Sequence, residues 1–425
     1  MNCNEAIDYI HSLEKFGMRP GLERIEALCR ALGDPQKGLK IIHVAGTNGK
    51  GSTSTIIASI LQKAGYGTGL FISPYVSDFR ERIQYNGAMI EPSELAECVS
   101  DVKNAIEADL APMGLQPTEF EAVTAAALLF FKRKKCDYAV LEVGLGGRFD
   151  STNIIDPPCV GVITSISLDH MAILGDTVEK IAFEKCGIIK PGSEIVAYPL
   201  QDEKALAVIR EACAAAGDRL TLPDMAEISV VSESLEGTKA VYGGLPFELR
   251  FAGKHMVYNT CTAIEAVRAL HADISDAAIA EGIASAVMPA RLELISREPV
   301  MLLDGGHNEG CAEAVAEFIG KHLSGRRIVM LSSLMADKDV DGYLRRVAPF
   351  AAEFIAARAD VPRAMDAEAL RTAASAYCAD CRAIASPSEA LEYAVSRVKP
   401  GDALIVCGSF YLAGEIREQM LNYNK

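Results

Sequence analysis

Residues 40–52 read KIIHVAGTNGKGS, and this segment carries the strongest structural signal in the chain. Its apolar start, IIHVA, predicts a short buried strand, and the glycines that follow allow the backbone to turn tightly and to aim N–H groups at an anion. The helical pattern that comes next would direct a helix N-terminus at the same anion. Lys50 adds a positive charge, and the hydroxyl of Ser52 or Thr53 can reach a bound phosphate or metal. The segment therefore predicts a loop that holds a nucleoside triphosphate.

The loop differs from the usual P-loop in the spacing of its glycines. The usual motif has four residues between its two glycines, whereas two residues separate Gly46 from Gly49, and Gly51 stands between the lysine and the hydroxyls. The order of strand, glycine loop and helix is still that of a nucleotide-binding site. We therefore predict that ATP is bound by Gly49, Lys50, Gly51 and Ser52.

The rest of the first 292 residues alternates apolar strand patterns with helical ones, which predicts an α/β fold with a mostly parallel sheet. Strands are predicted at residues 41–45, 69–72, 138–143, 160–166 and 194–197. Helices are predicted at residues 93–110, 119–134, 178–186, 204–216, 255–272 and 276–287. Between residues 226 and 251, short alternating runs broken by glycine and proline predict antiparallel strands instead.

The alternation starts again after a connecting segment at residues 288–294. Strands are predicted there at residues 300–304, 327–331, 352–356 and 403–407, and helices at residues 309–323, 367–377 and 412–421. Because 425 residues are too many for one core, we predict two domains. These are a P-loop-containing ATP-binding domain at residues 1–292 and a smaller Rossmann-like C-terminal α/β domain at residues 293–425.

Composition narrows the function class. The formal net charge of −15 argues against nucleic acid as a partner, and it means that an anionic substrate must meet a local basic site. No apolar tract is long enough to cross a bilayer, and the N-terminus lacks a signal sequence, so we expect a cytoplasmic protein without membrane contact. The twelve cysteines have no regular spacing and are expected to be reduced thiols. Cys378 and Cys381 form a CxxC, but no second pair completes a metal site.

Two strand ends carry candidate metal ligands. Glu142 closes the apolar run AVLE immediately before a glycine turn, at the strand end where open α/β sheets bind ligands. A carboxylate there can hold Mg²⁺, which prefers oxygen ligands, although a glutamate at a strand end can also simply face solvent. His170 follows another strand pattern, and by composition alone a hydrogen-bonding or core role is favoured for it. The string GLGGRFD, residues 144–150, is not a dinucleotide fingerprint, because Phe149 stands where that motif needs glycine.

Four strings together resemble one enzyme family. They are GTNGKGST at residues 46–53, ISPYVSDFRERI at residues 72–83, LEVGLGGRFDSTNII at residues 141–155, and DHMAILGDTVEKIAFEKCGIIK at residues 169–190. They resemble the folylpolyglutamate synthase and dihydrofolate synthase family, within the ATP-dependent amide ligases that include the Mur ligases. The resemblance extends from the N-terminal IHSLEKFGMRPGLERI to DGGHN at 304–308 and CGSF at 407–410, so it covers essentially the whole chain.

The resemblance implies an enzyme that uses ATP and Mg²⁺ to join L-glutamate to dihydropteroate, to folates, or to both, through an acyl phosphate. By the same resemblance, metal is bound by Ser73, Glu142 and His170, and ATP is also contacted by Asn259, Arg291 and Asp304. The implied pterin pocket contains Arg19, Pro20, Gly21, Thr118, Phe120 and Asp150. The site for incoming glutamate is assigned to His307 and Ser409. The implied catalytic residues are Lys50, His170, Arg291 and Lys185, whose amine is carboxylated in the family.

The sequence departs from the family pattern at one position, and two other functions are alternatives to the one implied. Members of the family usually have glycine immediately before the arginine that matches Arg291, whereas this chain has Ala290 there. A Mur-type ligase acting on another carboxylate is the nearest enzymatic alternative, and it is disfavoured because the phosphate loop begins by residue 46, without a preceding domain for a UDP-sugar. A P-loop nucleotide-binding regulator without ligase activity is the alternative from another class. Our expectation is a monomeric enzyme that acts on both substrates.

Overall fold

The computed structural model describes residues 1–14 and 20–423. Its first sheet has eight strands in the order β4-β3-β2-β5-β1-β6-β7-β8. These strands are β1 (Ile41–Ala45), β2 (Thr68–Phe71), β3 (Ile83–Tyr85), β4 (Ala88–Met89), β5 (Tyr138–Glu142), β6 (Val160–Ile163), β7 (Glu194–Ala197) and β8 (Arg219–Thr221). The six strands from β2 to β8 in this order run parallel, while β3 and β4 form an antiparallel edge. The predicted mostly parallel α/β sheet is confirmed.

Helices cover both faces of this sheet, as parallel sheets require. They are α1 (Cys3–Ser12), α2 (Glu23–Ala31), α3 (Lys50–Lys63), α4 (Pro92–Ala105), α5 (Glu119–Lys134), α6 (Met171–Leu174), α7 (Val178–Lys185), α8 (Glu203–Ala216), α9 (Lys254–Arg268) and α10 (Asp276–Ser285). Alternate residues of β1 face opposite cores: Ile41 packs with α1, α2, α4 and α5, whereas Ile42 and Val44 pack with α3, α9 and α10. In the register of the sheet, Val44 pairs with Glu142 and with Val162. The ends of β1, β5 and β6 therefore meet at one edge.

Three antiparallel strands form a small separate sheet in the order β11-β10-β9, as predicted for residues 226–251. They are β9 (Ile228–Ser234), β10 (Gly237–Tyr242) and β11 (Leu245–Leu249). Leu245, Phe247 and Leu249 alternate inward and join the core beneath α9.

The second large sheet has six strands in the order β12-β13-β17-β14-β15-β16, and only β12 runs antiparallel to its neighbour. The strands are β12 (Glu293–Arg297), β13 (Val300–Leu303), β14 (Ile328–Ser332), β15 (Glu353–Ala356), β16 (Cys381–Ala383) and β17 (Ala403–Cys407). Its helices are α11 (Glu309–His322), α12 (Val340–Val347), α13 (Ala367–Ala374), α14 (Pro387–Arg397) and α15 (Phe410–Asn422). The C-terminal α/β unit is therefore present, and a boundary near residue 292 stays a prediction.

The sequence patterns missed mainly short or edge elements, namely α1, α2, α6, β3, β4, β8, β12, β16, α12 and α14. Edge strands bury only part of their surface, so their apolar signal is weak; in β16 no residue is fully buried. The helix predicted at residues 93–110 is also not continuous, because α4 ends at Ala105 and a π-helical turn, Ile106–Leu110, follows. In the described part of the chain, no helix combines the length and apolar character that crossing a bilayer demands.

Gly282 allows α10 to pack directly on α3. A methyl group at this position would lie 2.4 Å from the Ile60 Cα, so we expect Gly282→Ala to lower the free energy of unfolding by about 1–3 kcal/mol. Gly320 in α11 is a matched control, because a methyl group there meets no atom within 4 Å and should stabilise its helix by about 0.5–1 kcal/mol. Urea denaturation of both variants tests this. Equal stability of Gly282→Ala and wild type would contradict the close helix contact.

Candidate active site

The phosphate loop links β1 to α3 and is tied to the segment after β6. Gly46 and Gly49 have φ values of 149° and 87°, which favour glycine. The N–H groups of Thr47 and Asn48 donate to the Ser165 carbonyl at 2.8 and 3.3 Å. Lys50 lies at the first position of α3, and its Nζ donates to the Thr47 carbonyl at 3.2 Å. The loop is thus held in a curled form at the centre of the sheet edge.

Two glycines of the loop bring distant predicted residues against it. A Cβ on Gly49 would lie 2.5 Å from Oδ1 of Asn259, which projects from α9. A Cβ on Gly51 would lie 3.4 Å from Oε2 of Glu142 and 3.8 Å from Nη2 of Arg291. The structure therefore gathers three distant residues of the predicted nucleotide and metal site, Asn259, Glu142 and Arg291, around one turn of backbone.

Glu142 is a buried carboxylate at the end of β5. Its Oε2 accepts the N–H of Ser73 at 2.9 Å. Burial raises the pKa of Glu142, while Lys50 and Arg291 favour its charged form. A buried carboxylate with two cations nearby can stay ionised and is suited to hold a further cation.

The donors at this edge fit the predicted Mg²⁺. Glu142 supplies carboxylate oxygen, the ligand type that Mg²⁺ prefers. Burial and the nearby cations lower the pKa of His170, so its imidazole is neutral, as a metal ligand must be. Thr53 Oγ1 is buried in the first turn of α3 without a hydrogen-bond partner among the described residues. In that part of the chain, no group of three or more His, Cys, Asp or Glu could hold a metal, so phosphate or water would have to complete the coordination.

Lys185 lies at the end of α7 and is only 4% exposed. Its Nζ donates to the carbonyl of Gly46 in the phosphate loop at 2.7 Å. Burial and the charge of Lys50 lower the pKa of Lys185 to about 7. At neutral pH a large fraction of this amine is therefore unprotonated, which is the form that reacts with CO₂.

Arg291 is presented by a strained segment. Ala290 and Leu292 on either side of it have φ values of 54° and 45°, a conformation that costs about 1–3 kcal/mol per residue outside glycine. The carboxylate of Asp304 holds this segment, accepting the Leu292 N–H at 2.9 Å and the Gly306 N–H at 2.8 Å. The positive φ of Ala290 explains why glycine suits the position. Asp304 thus orients the arginine in addition to any role toward ATP.

Two of the residues predicted for the pterin pocket, Thr118 and Phe120, lie at the start of α5. The hydroxyl of Thr118 caps α5 by accepting the Glu121 N–H at 3.2 Å. Phe120 packs against Gly144, and a Cβ on this glycine would lie 2.5 Å from the Phe120 ring. Asp150 is buried and accepts the Leu145 and Thr152 N–H groups, so its oxygens largely hold their own loop. Pro20 is exposed and Gly21 has a φ of 128°. Arg19 lies outside the described residues.

The residues predicted for glutamate lie in the C-terminal unit. Burial lowers the pKa of His307 to about 4, so its ring is neutral, and it lies 6.2 Å from the Phe410 ring. The hydroxyl of Ser409 accepts the Tyr411 N–H at 3.1 Å as the cap of α15. Arg291 stacks 4.4 Å above Phe410, so the arginine links the phosphate loop to this region.

Comparisons with known proteins agree with this geometry. The sequence matches the family models for the Mur ligase middle domain over residues 44–267 and for the Mur ligase glutamate ligase domain over residues 290–410. The dihydrofolate synthase/folylpolyglutamate synthase of Bacillus subtilis is 38% identical over 436 aligned positions, covering 98% of each protein. The chain belongs to the folylpolyglutamate synthase and dihydrofolate synthase family. It is accordingly an ATP-dependent ligase that attaches glutamate.

Solved structures of this family have the same fold. A Mycobacterium tuberculosis folylpolyglutamate synthase complexed with ADP and AMPPCP is 29% identical and superposes with a TM-score of 0.89 over 99% of each chain. Escherichia coli FolC in complex with DHPP and ADP is 29% identical with a TM-score of 0.88, over 100% of this chain and 99% of that one.

Sequence reasoning missed the polar contacts that join the two units of this ligase. Asn308 Nδ2 donates to Asn48 Oδ1 at 2.9 Å, and Lys338 Nζ donates to Asp169 Oδ1 at 2.7 Å. The Nζ of Lys338 also lies 3.4 Å from Nε2 of His170. Although burial alone would raise it, the pKa of Asp169 is held well below its usual range by the Lys338 ammonium. Asn48 and Asn308 lie inside strings already singled out, GTNGKGST and DGGHN. Lys338 has no local signal in the sequence.

Gly49→Ala should disable nucleotide binding in this ligase. The new methyl group would be forced against Asn259 and into a left-handed backbone conformation, so we expect ADP affinity to fall more than tenfold, measured by calorimetry. Gly65→Ala is the matched control, because Gly65 has a similar φ of 89° but meets no atom within 4 Å. It should lose about 1 kcal/mol of stability and keep its ADP affinity. Equal ADP affinities in the two variants would contradict the close approach of Asn259 to residue 49 in the nucleotide site.

Proposed function

We propose that this ligase adds L-glutamate to both dihydropteroate and folates, through an acyl phosphate. The relative from Bacillus subtilis carries both activities in its name, and the FolC structure contains DHPP and ADP. The observation that supports the assignment best is the convergence of Glu142 and Arg291 on Gly51, where a Cβ would lie 3.4 Å from Oε2 of the glutamate and 3.8 Å from Nη2 of the arginine. The phosphate loop, a carboxylate that can hold Mg²⁺ and an arginine that can offset the charge of a moving phosphoryl group meet at this point.

The chemistry requires that a carboxylate first be activated. A carboxylate repels an attacking amine and has no leaving group, and transfer of the γ-phosphoryl group of ATP solves both problems by forming an acyl phosphate. In our proposal Lys50 and the loop N–H groups bind the phosphates, and Arg291 offsets charge on the phosphoryl group as it moves. Asn259, against Gly49, holds the nucleoside end of ATP.

Ser73, Glu142 and His170 would hold Mg²⁺ in this proposal. The ion supplies electrostatic stabilisation of the phosphates when bound. Glu142 keeps its charge through Lys50 and Arg291, and His170 is kept neutral by burial. Lys185, carboxylated on Nζ, would add an anionic group next to the Gly46 carbonyl.

The second step is attack of the amine of L-glutamate on the acyl carbon, which forms the amide and releases phosphate. His307 and Ser409 are the residues we assign to glutamate, and Thr118, Phe120, Asp150, Pro20, Gly21 and Arg19 to the pterin. The contacts of Lys338 with Asp169 and of Asn308 with Asn48 hold the two units together over the site. A closed arrangement of this kind keeps water from the acyl phosphate.

We also propose a cytosolic monomer. All twelve cysteines are free thiols, as expected in a reducing compartment. A single chain supplies every residue that the proposal uses, so no second copy is required.

The decisive experiment is product analysis by mass spectrometry. Purified protein is incubated with Mg-ATP, L-glutamate and either 7,8-dihydropteroate or tetrahydrofolate. We expect both acceptors to gain one glutamyl mass, with release of ADP and phosphate. Lys50→Ala should lower the rate by about 10²–10³ without unfolding, because it removes one preorganised charge contact, whereas Lys63→Ala at the other end of α3 should not.

Each outcome has a definite meaning. Glutamylation of dihydropteroate alone would limit the enzyme to dihydrofolate synthesis, and glutamylation of tetrahydrofolate alone would limit it to folylpolyglutamate synthesis. Binding of ATP without glutamylation of either acceptor would reject the proposal in favour of another carboxylate substrate or a nucleotide-binding regulator.

Carboxylation of Lys185 can be measured directly. Protein equilibrated with ¹³C-bicarbonate should show a carbamate resonance by NMR, because the lowered pKa leaves reactive amine near neutral pH. Activity should fall in CO₂-free buffer and return when bicarbonate is added. Lys185→Arg should lose the resonance, whereas Lys180→Arg, an exposed position of the same helix, should keep it. If the wild-type protein shows no carbamate resonance and its activity does not depend on CO₂, carboxylation of Lys185 is contradicted.

A further inference from the structure

His43 is a buried histidine that the proposed mechanism does not use. It lies in the middle of β1, where it pairs with Leu141 of β5 and Gly161 of β6, and its side chain is fully buried. Burial lowers the pKa of His43 to about 3, so its ring is neutral. A polar ring inside a parallel sheet costs free energy unless it makes a hydrogen bond. The hydrogen bond that His43 makes is therefore the best guide to its role.

A chain of hydrogen bonds leads from His43 to Asp150, which we assign to the pterin. His43 Nε2 is 2.8 Å from Thr152 Oγ1, and this hydroxyl donates to Asp150 Oδ1 at 2.5 Å. The Asp150 carboxylate also accepts the N–H of Thr152 at Oδ1 and the N–H of Leu145 at Oδ2, which favours its ionised form. Because the single hydroxyl proton of Thr152 is used toward Asp150, the hydroxyl must accept a proton from His43. The neutral ring therefore carries its proton on Nε2.

Packing alone does not account for a histidine at this position. In the tautomer that Thr152 requires, Nδ1 of His43 is a buried acceptor, and it has no hydrogen-bond partner among the described residues. An aliphatic side chain would avoid the cost of burying that nitrogen. The contribution that is specific to the imidazole is thus its hydrogen bond to Thr152.

The two ends of this chain of hydrogen bonds belong to different parts of the proposed site. His43 lies three residues before Gly46, on the strand that leads into the phosphate loop. Asp150 caps the short 3₁₀ helix Ser151–Ile154, and the fully buried Thr152 lies between the two. The hydrogen bonds therefore hold a pterin residue in a fixed position relative to the nucleotide loop. Transfer of a phosphoryl group to the acceptor requires that the two substrates be held in such a fixed relation.

We propose that His43 and Thr152 are positioning residues that orient the Asp150 carboxylate toward the pterin ring of the acceptor. This inference rests on the proposed function, in which Asp150 contacts the pterin. A carboxylate accepts hydrogen bonds from the amino and ring N–H groups of a pterin only where its oxygens are aimed at them. Thr152 holds Oδ1, and His43 in turn holds the hydroxyl of Thr152. Neither residue contacts ATP or L-glutamate in the proposal, so their loss should affect the pterin acceptors alone.

Steady-state kinetics of Thr152→Val test the proposal on the full-length enzyme. Valine keeps the shape of threonine but cannot donate to Asp150. We expect the KM for dihydropteroate and for tetrahydrofolate to rise by about 5- to 50-fold, because a hydrogen bond to a charged group is lost. The KM for L-glutamate, the ADP affinity and the melting temperature should stay close to those of the wild type. Thr152→Ser keeps the hydroxyl and should restore the acceptor KM.

Thr68→Val is the matched control. Thr68 is likewise buried, and its hydroxyl donates to the Tyr66 carbonyl at 3.0 Å. It begins β2, at the end of the parallel sheet opposite the phosphate loop. Thr68→Val should therefore use both acceptors as the wild type does.

A double-mutant cycle tests whether the two residues act in series. His43→Leu removes the donor to Thr152, whereas His43→Gln keeps an N–H near the position of Nε2. We expect His43→Leu to raise the acceptor KM severalfold and His43→Gln to restore it. The double variant His43→Leu/Thr152→Val should be no worse than Thr152→Val, because both residues act through one carboxylate. Effects that multiply in the double variant would overturn the proposed chain.

The other outcomes are equally decisive. Acceptor KM values of Thr152→Val equal to those of Thr68→Val would overturn the proposal. A parallel loss toward ADP and L-glutamate would also overturn it, because that pattern indicates a structural role. If Thr152→Val does not fold, the comparison of His43→Leu with His43→Gln decides in the same way. Failure of the wild type to glutamylate either acceptor would instead reject the proposed function itself, so the two failures are distinguishable.

Discussion

The buried charge of Glu142 is the constraint on which the rest of this site depends. A carboxylate at the end of a central strand must either find cations or lose its charge. Here the cations come from separate parts of the chain, Lys50 from the phosphate loop and Arg291 from the segment that leads into the second sheet. Glu142 and Arg291 converge on Gly51, where a Cβ would lie 3.4 Å from Oε2 of the glutamate and 3.8 Å from Nη2 of the arginine. Replacement of either cation would therefore disturb the carboxylate as well as the nucleotide site.

The backbone on either side of Arg291 is strained. Two non-glycine residues in left-handed conformations persist because Asp304 accepts the Leu292 N–H and the Ala290 carbonyl accepts the Gly305 N–H. Strained backbone at a functional position is a common feature of active sites, and here it sets the direction of one guanidinium.

The two units meet through polar side chains at the site and through a second contact away from it. At the site, Lys338 and Asp169 join across the cleft. On the other side, Glu233 of β9 accepts hydrogen bonds from Lys321 and His322 of α11, both at 2.7 Å. Contacts of this kind depend on charge and geometry more than on apolar area.

The amino-acid sequence by itself determined the features that arise from local order. The apolar run before Gly46, the glycine turn and the following helix define the phosphate loop, and the alternation of strand and helix patterns defines the parallel sheets, because periodicity and turn residues act over a few positions. The same reasoning placed Glu142 at a strand end, and it failed for β12 and β16, whose burial depends on neighbours. Only the tertiary structure decided that Asn259 lies against Gly49 and that Lys338 reaches Asp169. These features depend on distances between elements far apart in the chain, which no local pattern encodes.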